Sequence, residues 1–279
     1  MQKIIQKVVA KSIGAYINSL SYIAPQKAYS LAYSFFSEPR RGKLKPHQLP
    51  KILIKAVQES HTYNEYQFQT YTWKGNEDII LLIHGWESNS SRWKKLINRL
   101  IKTGKTIIAI DGPAHGLSSG KEFNVPTYAE FINQIVQKNN PKTVIGHSLG
   151  GNALAYFQFH FKHNFHKMIL IGAPSDFKVI LNNYIKMLSL NKRVHKSLIN
   201  YTKKRFNLDI EDFSAAAYLK NTTIPGIIAH DTTDMVVRYE EGEKLAKSWK
   251  TAQFITTHGH GHSMHDEYLY QSIVSFVEE

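Results

Sequence analysis

"TVIGHSLGG", residues 143–151, is the stretch from which the rest of this sequence can be interpreted. An apolar run leads into a G-x-S-x-G pattern centred on Ser148, and a helical pattern follows it. The order is therefore strand, tight turn, helix. Gly146 and Gly150 supply the small residues that a turn this tight needs on either side of the serine. The turn exposes the Ser148 hydroxyl at a helix N-terminus, where the helix dipole and free N–H groups favour a developing negative charge. The stretch therefore predicts a nucleophilic serine.

Short apolar runs with the length of buried strands lie on both sides of this turn. They are found at 79–83, 106–110, 142–146, 167–172, 225–230 and 252–257, with helical patterns at 90–102, 127–138, 150–161, 239–249 and 266–277. Strands that alternate with helices predict an α/β fold with a mostly parallel central sheet and helices on both faces. The alternating run QFQTYTW at 67–73 predicts an antiparallel strand at the edge of this sheet.

One connection in this pattern is too long for a simple loop. Residues 173–222 contain helical patterns at 178–189, 193–205 and 211–219 and no strand. Because an insertion of this length in a compact domain is usually functional, we interpret it as a helical cap. The predicted organisation is an N-terminal helical extension with a linker (1–50), a first core part (51–172), the cap (173–222) and a second core part (223–279).

The first residues of the chain have the periodicity of an amphipathic helix over 3–23. At about 100° per residue, one face carries lysines and the opposite face carries apolar residues. These are Lys3, Lys7 and Lys11 against Ile5, Val9, Ile13, Tyr16 and Leu20. Three interpretations stay open. The helix docks on the cap and helps to wall a pocket, it makes peripheral contact with a membrane surface, or it is a loose extension.

The composition of the chain excludes several kinds of site and several classes of protein. The chain has 279 residues, a formal net charge of +13 and no cysteine, which excludes disulfides and a cysteine nucleophile. No apolar stretch approaches the ~18 residues of a spanning helix, and lysines interrupt what would be a secretory signal. We therefore expect a cytoplasmic protein, with the inner membrane surface as the alternative location. The charge alone would suit nucleic acid, but no nucleic-acid motif is present and that partner is not expected.

Around the G-x-S-x-G turn, the sequence resembles the α/β-hydrolase superfamily in its branch with a serine nucleophile. The resemblance covers about residues 65–279 and includes LLIHGW (81–86), AIDGPAHGLSSG (109–120) and IAHDTTDMVV (228–237). It implies the α/β-hydrolase fold with a Ser-acid-His triad and no cofactor. By the same resemblance, the backbone N–H groups of Trp86 and Leu149 form an oxyanion hole. Asp111 and His115 shape their loop and take no part in the chemistry.

A serine hydroxyl is a poor nucleophile, so it needs a base, and a carboxylate must orient that base. Two carboxylates compete for this role, Asp231 and Asp234. In the family the acid is commonly followed by x-x-Val, and Asp234-Met235-Val236-Val237 resembles that pattern. Asp231 is the second choice as acid, and it would otherwise be a turn residue that makes hydrogen bonds within the turn.

The run HGHGHSMHD, residues 258–266, contains the only histidines that follow Asp234. It resembles the family's G-x-G-H segment, which favours His262 as the base, with His260 as the second choice. His258, His260 and His262 would share one face of a strand and could then bind zinc. The intervening glycines disfavour a regular strand, and no carboxylate holds the usual companion position, so no metal is expected.

The sequence thus predicts a serine hydrolase that cleaves a carboxylic ester or related acyl bond through an acyl-enzyme. Ser148, His262 and Asp234 would be nucleophile, base and acid, and the partner would be a small, hydrophobic acyl substrate. Thioesterases, lipases, lactonases and carbon–carbon bond hydrolases of this fold share the same triad and remain alternatives. A receptor that binds its ligand with slow or no turnover is the alternative from another class.

Overall fold

The apolar runs of the sequence form the centre of one eight-stranded sheet in a computed structural model. The model describes residues 2–279, but no side chains at residues 2–4 and 6. The strands are β1 Val57–Tyr63, β2 Tyr66–Trp73, β3 Asn76–Ile83, β4 Lys105–Ile110, β5 Thr143–His147, β6 Lys167–Ile171, β7 Gly226–Asp231 and β8 Ala252–Thr257. Their order in the sheet is β1-β2-β4-β3-β5-β6-β7-β8. The strands β3 to β8 pair in parallel, whereas β2 is antiparallel to both of its neighbours.

Both faces of the sheet are covered, as the continuous apolar runs predict. Ile80 and Leu82 belong to one core cluster with residues of two helices, 94–100 and 267–278, whereas Leu81 and Ile83 point the opposite way and are also buried. The helices of this sheet unit are α3 Lys51–Ile54, α4 Lys94–Leu100, α5 Val125–Asn139, α6 Leu149–His160, α9 Ala215–Leu219, α10 Tyr239–Ser248 and α11 Glu267–Glu278. The predicted fold class is confirmed.

The prediction that residues 67–73 form an edge strand was wrong. They form β2, which lies between β4 and the edge strand β1. The sequence of β1, VQESHTY, has no apolar alternation because most of its side chains are exposed. A two-residue turn joins β1 to β2 and begins at Asn64, whose φ of 48° is a conformation that asparagine tolerates well.

Four helices form a second compact unit with a core of its own. They are α1 Gln2–Ile23, α2 Pro25–Ser37, α7 Phe177–Leu188 and α8 Lys192–Phe206. Ile17 of α1 and Ala28 of α2 share an apolar cluster with Leu181 of α7 and Val194 of α8. The N-terminal helix is therefore not a loose extension. It packs on the helices of the predicted cap.

The two units divide the chain at other points than the boundaries predicted from sequence. The helical unit comprises Met1–Glu38 and Asp176–Ser214, and the sheet unit comprises Pro39–Ser175 and Ala215–Glu279. The linker after Glu38 joins the sheet unit because Leu44 N–H donates to the Gly116 carbonyl at 3.0 Å. Helix α9, predicted as part of the cap, joins it because Gln158 of α6 donates to the Tyr218 carbonyl at 2.7 Å. Within the described residues, no helix combines the length and apolar character that crossing a membrane requires.

Candidate active site

The turn between β5 and α6 holds Ser148 in a strained conformation. Its φ of 53° lies in the left-handed region that a residue with a side chain seldom adopts, and its ψ is −125°. The flanking glycines are sterically required. A Cβ on Gly146 would lie 2.6 Å from the Gly151 Cα, and one on Gly150 would lie 2.3 Å from the Ile83 carbonyl oxygen. Neighbouring backbone atoms therefore leave no room for a side chain at either position, which is why small residues are needed on both sides of Ser148.

His262 and Asp234 complete a hydrogen-bonded chain from this serine. The His262 Nε2 atom lies 2.9 Å from the Ser148 Oγ atom, and the His262 Nδ1 atom lies 2.7 Å from the Asp234 Oδ2 atom. With its proton on Nδ1, His262 donates to Asp234 and can accept the proton of Ser148 at Nε2. The structure thus brings together the three residues that the sequence favoured.

The Asp234 carboxylate is itself held in place from three sides. Its Oδ1 atom accepts from the backbone N–H groups of Val236 at 2.8 Å and Val237 at 3.0 Å. The buried His230 ring, whose Nε2 atom lies 3.0 Å from the Val237 carbonyl, approaches the Oδ2 atom to 3.6 Å. Because both carboxylate oxygens are occupied, the side chain has one orientation toward His262.

Asp231 is the last residue of β7, three positions before Asp234, and ties the loop that follows it to the histidine loop. Its fully buried carboxylate accepts from the backbone N–H and hydroxyl of Thr233, from the Thr257 hydroxyl, and from the His260 N–H at 3.0 Å. Burial alone would raise the pKa of the Asp231 carboxyl, but these hydrogen bonds outweigh it and hold the pKa well below its usual range. Within this geometry Asp231 contacts neither Ser148 nor His262 and instead joins the ends of β7 and β8.

The depressed pKa of Asp231 predicts a specific loss of stability in acid. A carboxyl with a lowered folded-state pKa stabilises the fold above its unfolded pKa of about 4, and this contribution is lost as the pH falls further. The free energy of unfolding of Asp231→Asn should therefore be lower than that of the wild type at neutral pH, and the gap should shrink below about pH 4. Urea titrations followed by tryptophan fluorescence measure this, since all four tryptophans belong to the sheet unit.

The exposed carboxylate Glu65 provides the matched control for this measurement. Glu65→Gln should unfold at the same urea concentration as the wild type at every pH. A gap between wild type and Asp231→Asn that stays constant into acid would contradict the role given to Asp231.

The remaining histidines of the run 258–266 turn to separate partners. His258 Nδ1 lies 3.0 Å from the Thr232 hydroxyl, and His260 Nε2 lies 3.0 Å from an Asp266 carboxylate oxygen. His265 bonds to the Tyr270 hydroxyl. The structure brings His262, and not His260, to Ser148. In the described part of the chain, no group of three or more His, Asp or Glu side chains is arranged to hold a metal ion.

Two residues that the sequence did not single out for this purpose hold the histidine loop. The buried His147 Nε2–H donates to the His262 carbonyl at 2.8 Å, and the two rings lie 4.9 Å apart. Arg92 donates to the neighbouring Ser263 carbonyl at 3.2 Å. Burial and the nearby Arg92 charge lower the pKa of His147 well below its usual range, so the ring stays neutral. In the sequence, this role of His147 could have been inferred only from its position directly before the predicted nucleophile.

The end of β3 lies against the nucleophile turn. A Cβ on Gly85 would lie 2.8 Å from the Ser148 Cβ and 3.2 Å from the Leu149 amide nitrogen, so only glycine allows this approach. The peptide that follows Gly85 carries the Trp86 N–H. Among the described residues, neither the Trp86 nor the Leu149 amide donates a hydrogen bond to a protein acceptor. Both amides predicted as oxyanion donors are thus without a protein acceptor in the described part of the chain, and the Leu149 amide directly follows Ser148.

Asp111 and His115 fasten the loop that follows Trp86. The buried Asp111 carboxylate accepts from the Ser90 N–H at 2.9 Å and the Ser90 hydroxyl at 2.8 Å. His115 Nδ1–H donates to the Pro113 carbonyl, so its Nε2 atom accepts from the Glu87 N–H at 2.9 Å. Burial lowers the pKa of His115 to about 3, which keeps Nε2 free to accept. These contacts match the loop-shaping role that the sequence predicted.

Comparison with known proteins supports the same fold. A family model described as alpha/beta hydrolase fold matches residues 78–191, a segment that includes Ser148 and ends before Asp234. The solved structure of a putative lipase from Acinetobacter baumannii AYE has a TM-score of 0.62 to this chain. It covers 81% of this chain and 92% of its own, at 18% identity, and at that identity it shows the fold alone. Residues 78–191 thus resemble the α/β-hydrolase superfamily, and the chain has the fold of that superfamily.

Two curated relatives are matched over segments of the chain. The "Serine hydrolase-like protein" of Danio rerio is 32% identical over 137 residues, which cover 45% of this chain and 41% of the relative. The "Monoacylglycerol lipase" of Mycolicibacterium smegmatis is 25% identical over 103 residues, which cover 34% of this chain and 37% of the relative. The chain therefore spans less than half the length of these relatives. The predicted resemblance to the α/β hydrolases is confirmed.

Proposed function

We propose that the protein is a serine hydrolase that cleaves carboxylic esters through an acyl-enzyme. The observation that carries this proposal is the chain of hydrogen bonds from Ser148 through His262 to Asp234, at 2.9 and 2.7 Å. A serine in this arrangement has a base within reach of its proton, and the base has a fixed tautomer.

In the first half of the reaction, the Ser148 oxygen attacks the ester carbonyl while His262 Nε2 takes the hydroxyl proton. Asp234 stabilises the imidazolium that forms, because the carboxylate already accepts the Nδ1–H bond. The carbonyl oxygen becomes an oxyanion beside the free amides of Trp86 and Leu149. A single donor in such a hole is typically worth about 10²–10³ in rate.

The alcohol leaves with the proton from His262, which completes the first half, and an acyl group remains on Ser148. In the second half, a water molecule gives a proton to the same Nε2 atom and attacks the acyl carbonyl. The bond between the acyl group and the Ser148 oxygen then breaks, His262 returns the proton to that oxygen, and the acid is released. His147 and Arg92 contribute indirectly, because both bind carbonyls of the loop that carries His262.

The substrate class we favour is an ester with an apolar acyl chain. The similarity to a monoacylglycerol lipase supports this choice, although it extends over 103 residues only. Thioesters, lactones and activated carbon–carbon bonds would be cleaved by the same residues. A receptor that binds its ligand without turnover would not need a base 2.9 Å from a serine hydroxyl.

A panel of p-nitrophenyl esters from acetate to dodecanoate, each with a thioester of the same acyl chain, tests the proposal. We expect steady-state release of p-nitrophenol, preceded by a burst if deacylation is slower. His262→Gln should remove turnover, whereas the matched variant His258→Gln should keep it, since His258 bonds only to Thr232 in the described structure. A burst without steady turnover would favour the receptor, and equal turnover in both variants would exclude His262 as the base.

A further inference from the structure

The helix α1 carries a row of apolar side chains that point to solvent. Between 51% and 83% of the surface of each is exposed, although all are large. They are Ile5, Val8, Val9, Tyr16 and Ile23. At about 100° per residue they fall within one sector of about 100°, which also contains Ser12 and Ser19 and no charged residue. We call these five apolar residues the apolar stripe.

The direction of the stripe is set by the packing of α1 within the helical unit. The opposite face of α1 contributes Ile17 to the core of that unit. A Cβ on Gly14 would lie 1.7 Å from the Leu188 carbonyl oxygen, so α1 crosses the end of α7 in close contact. The Asn18 side chain bonds twice to the segment after α7: its Nδ2 atom donates to the Ser189 carbonyl, and its Oδ1 atom accepts from the Asn191 N–H. The helix cannot rotate to bury the stripe without losing these contacts.

The helical unit that carries the stripe is strongly basic. Met1–Glu38 and Asp176–Ser214 together contain 12 lysines and arginines against 5 acidic residues. Helix α8 holds six of the basic residues and no acidic one, and all six are exposed. Its Arg193 lies over the Tyr22 ring at 5.0 Å, next to Ile23 at the end of the stripe. Lys3 belongs to the same basic set by sequence, but its side chain lies outside the described residues.

We propose that the helical unit docks on an anionic phospholipid surface, with the apolar stripe entering the headgroup boundary and the basic residues binding lipid phosphates. An exposed apolar row on a basic helical unit is the pattern of an interfacial helix. A second copy of this chain is the poorer partner, since it would bring two basic units together. The proposal does not depend on the hydrolase activity.

Vesicle co-sedimentation of the full chain tests this docking. Vesicles of phosphatidylglycerol and phosphatidylcholine in equal parts should bind the protein at least about tenfold more tightly than vesicles of phosphatidylcholine alone. Raising the salt to about 0.5 M should weaken that binding. A variant with Ile5→Gln, Val9→Gln, Tyr16→Gln and Ile23→Gln should bind at least about tenfold less.

The matched control replaces exposed apolar residues of the sheet unit, Ile54→Gln, Ile101→Gln, Phe159→Gln and Tyr268→Gln, which are 45–67% exposed. It should bind as the wild type does, and melting curves should show that both variants remain folded. Failure of the wild type to bind would overturn the proposal, as would equal binding by both variants. A dimer in light scattering that only the stripe variant dissociates, without vesicle binding, would assign the stripe to a second copy instead.

Discussion

Ser148→Ala is expected to lower kcat for an ester substrate by about 10⁵-fold or more, because the variant has no atom that can form the acyl-enzyme. The fold should be retained, since alanine is smaller than serine and the φ of 53° is set by the surrounding turn. Binding should survive, as the substrate contacts other surfaces. Steady-state kinetics on the preferred p-nitrophenyl ester, with labelling by a fluorescent phosphonate, measure both consequences.

The exposed serine of α11, Ser275, provides the control for this substitution. Ser275→Ala should be labelled and should turn over as the wild type does. Labelling that persists in Ser148→Ala would mean that another residue is the nucleophile, and the proposed function would fail with it.

Asp234→Asn is expected to lower kcat by about 10⁴-fold while leaving the melting temperature nearly unchanged. The amide of asparagine would donate to His262 Nδ1, and the proton of the ring would then lie on Nε2, facing Ser148. The base could no longer accept the serine proton. The backbone N–H groups of Val236 and Val237 would still find an acceptor in the remaining carbonyl oxygen.

Asp231→Asn provides the comparison because it lies three residues away, at the end of β7. Its buried side-chain amide would face the fixed N–H of His260, so two donors would meet where a hydrogen bond had been, at a cost of about 1–3 kcal/mol in stability. Activity should fall far less than in Asp234→Asn, since Asp231 has no bond to His262. If Asp231→Asn were the less active of the two at a temperature where both are folded, the acid would have been assigned to the wrong carboxylate.

The fold was largely predictable from local patterns. Apolar runs such as 79–83 and 106–110 are buried on both faces, so their sequence is apolar throughout and easily recognised. The edge strand β1 was not predictable in this way, because an exposed polar strand leaves no apolar periodicity. Its existence depends on hydrogen bonds to β2, which no pattern within residues 57–63 reveals.

The candidate site was predictable where its residues lie in recognisable segments. Ser148, Asp234 and His262 each follow a strand of the parallel sheet, and the carboxyl ends of parallel strands meet at one edge. The structure brings these residues together as this rule requires, and their catalytic role remains a proposal. The sequence favoured Asp234 over Asp231 by the resemblance of the segment that follows Asp234. The partners of the two carboxylates show the same preference, since Asp234 bonds to the His262 ring and Asp231 to the His260 N–H.

The sequence by itself determined the alternation of strands and helices, the strained turn at Ser148 and the residue types available to the site. These properties depend on neighbours in the chain, through periodicity and backbone sterics. The tertiary structure alone decided which histidine reaches Ser148, that His147 supports it, and that the helices of residues 1–38 share a core with those of 176–214. Such contacts join residues more than 100 positions apart, and their energy depends on a distance that no local pattern encodes.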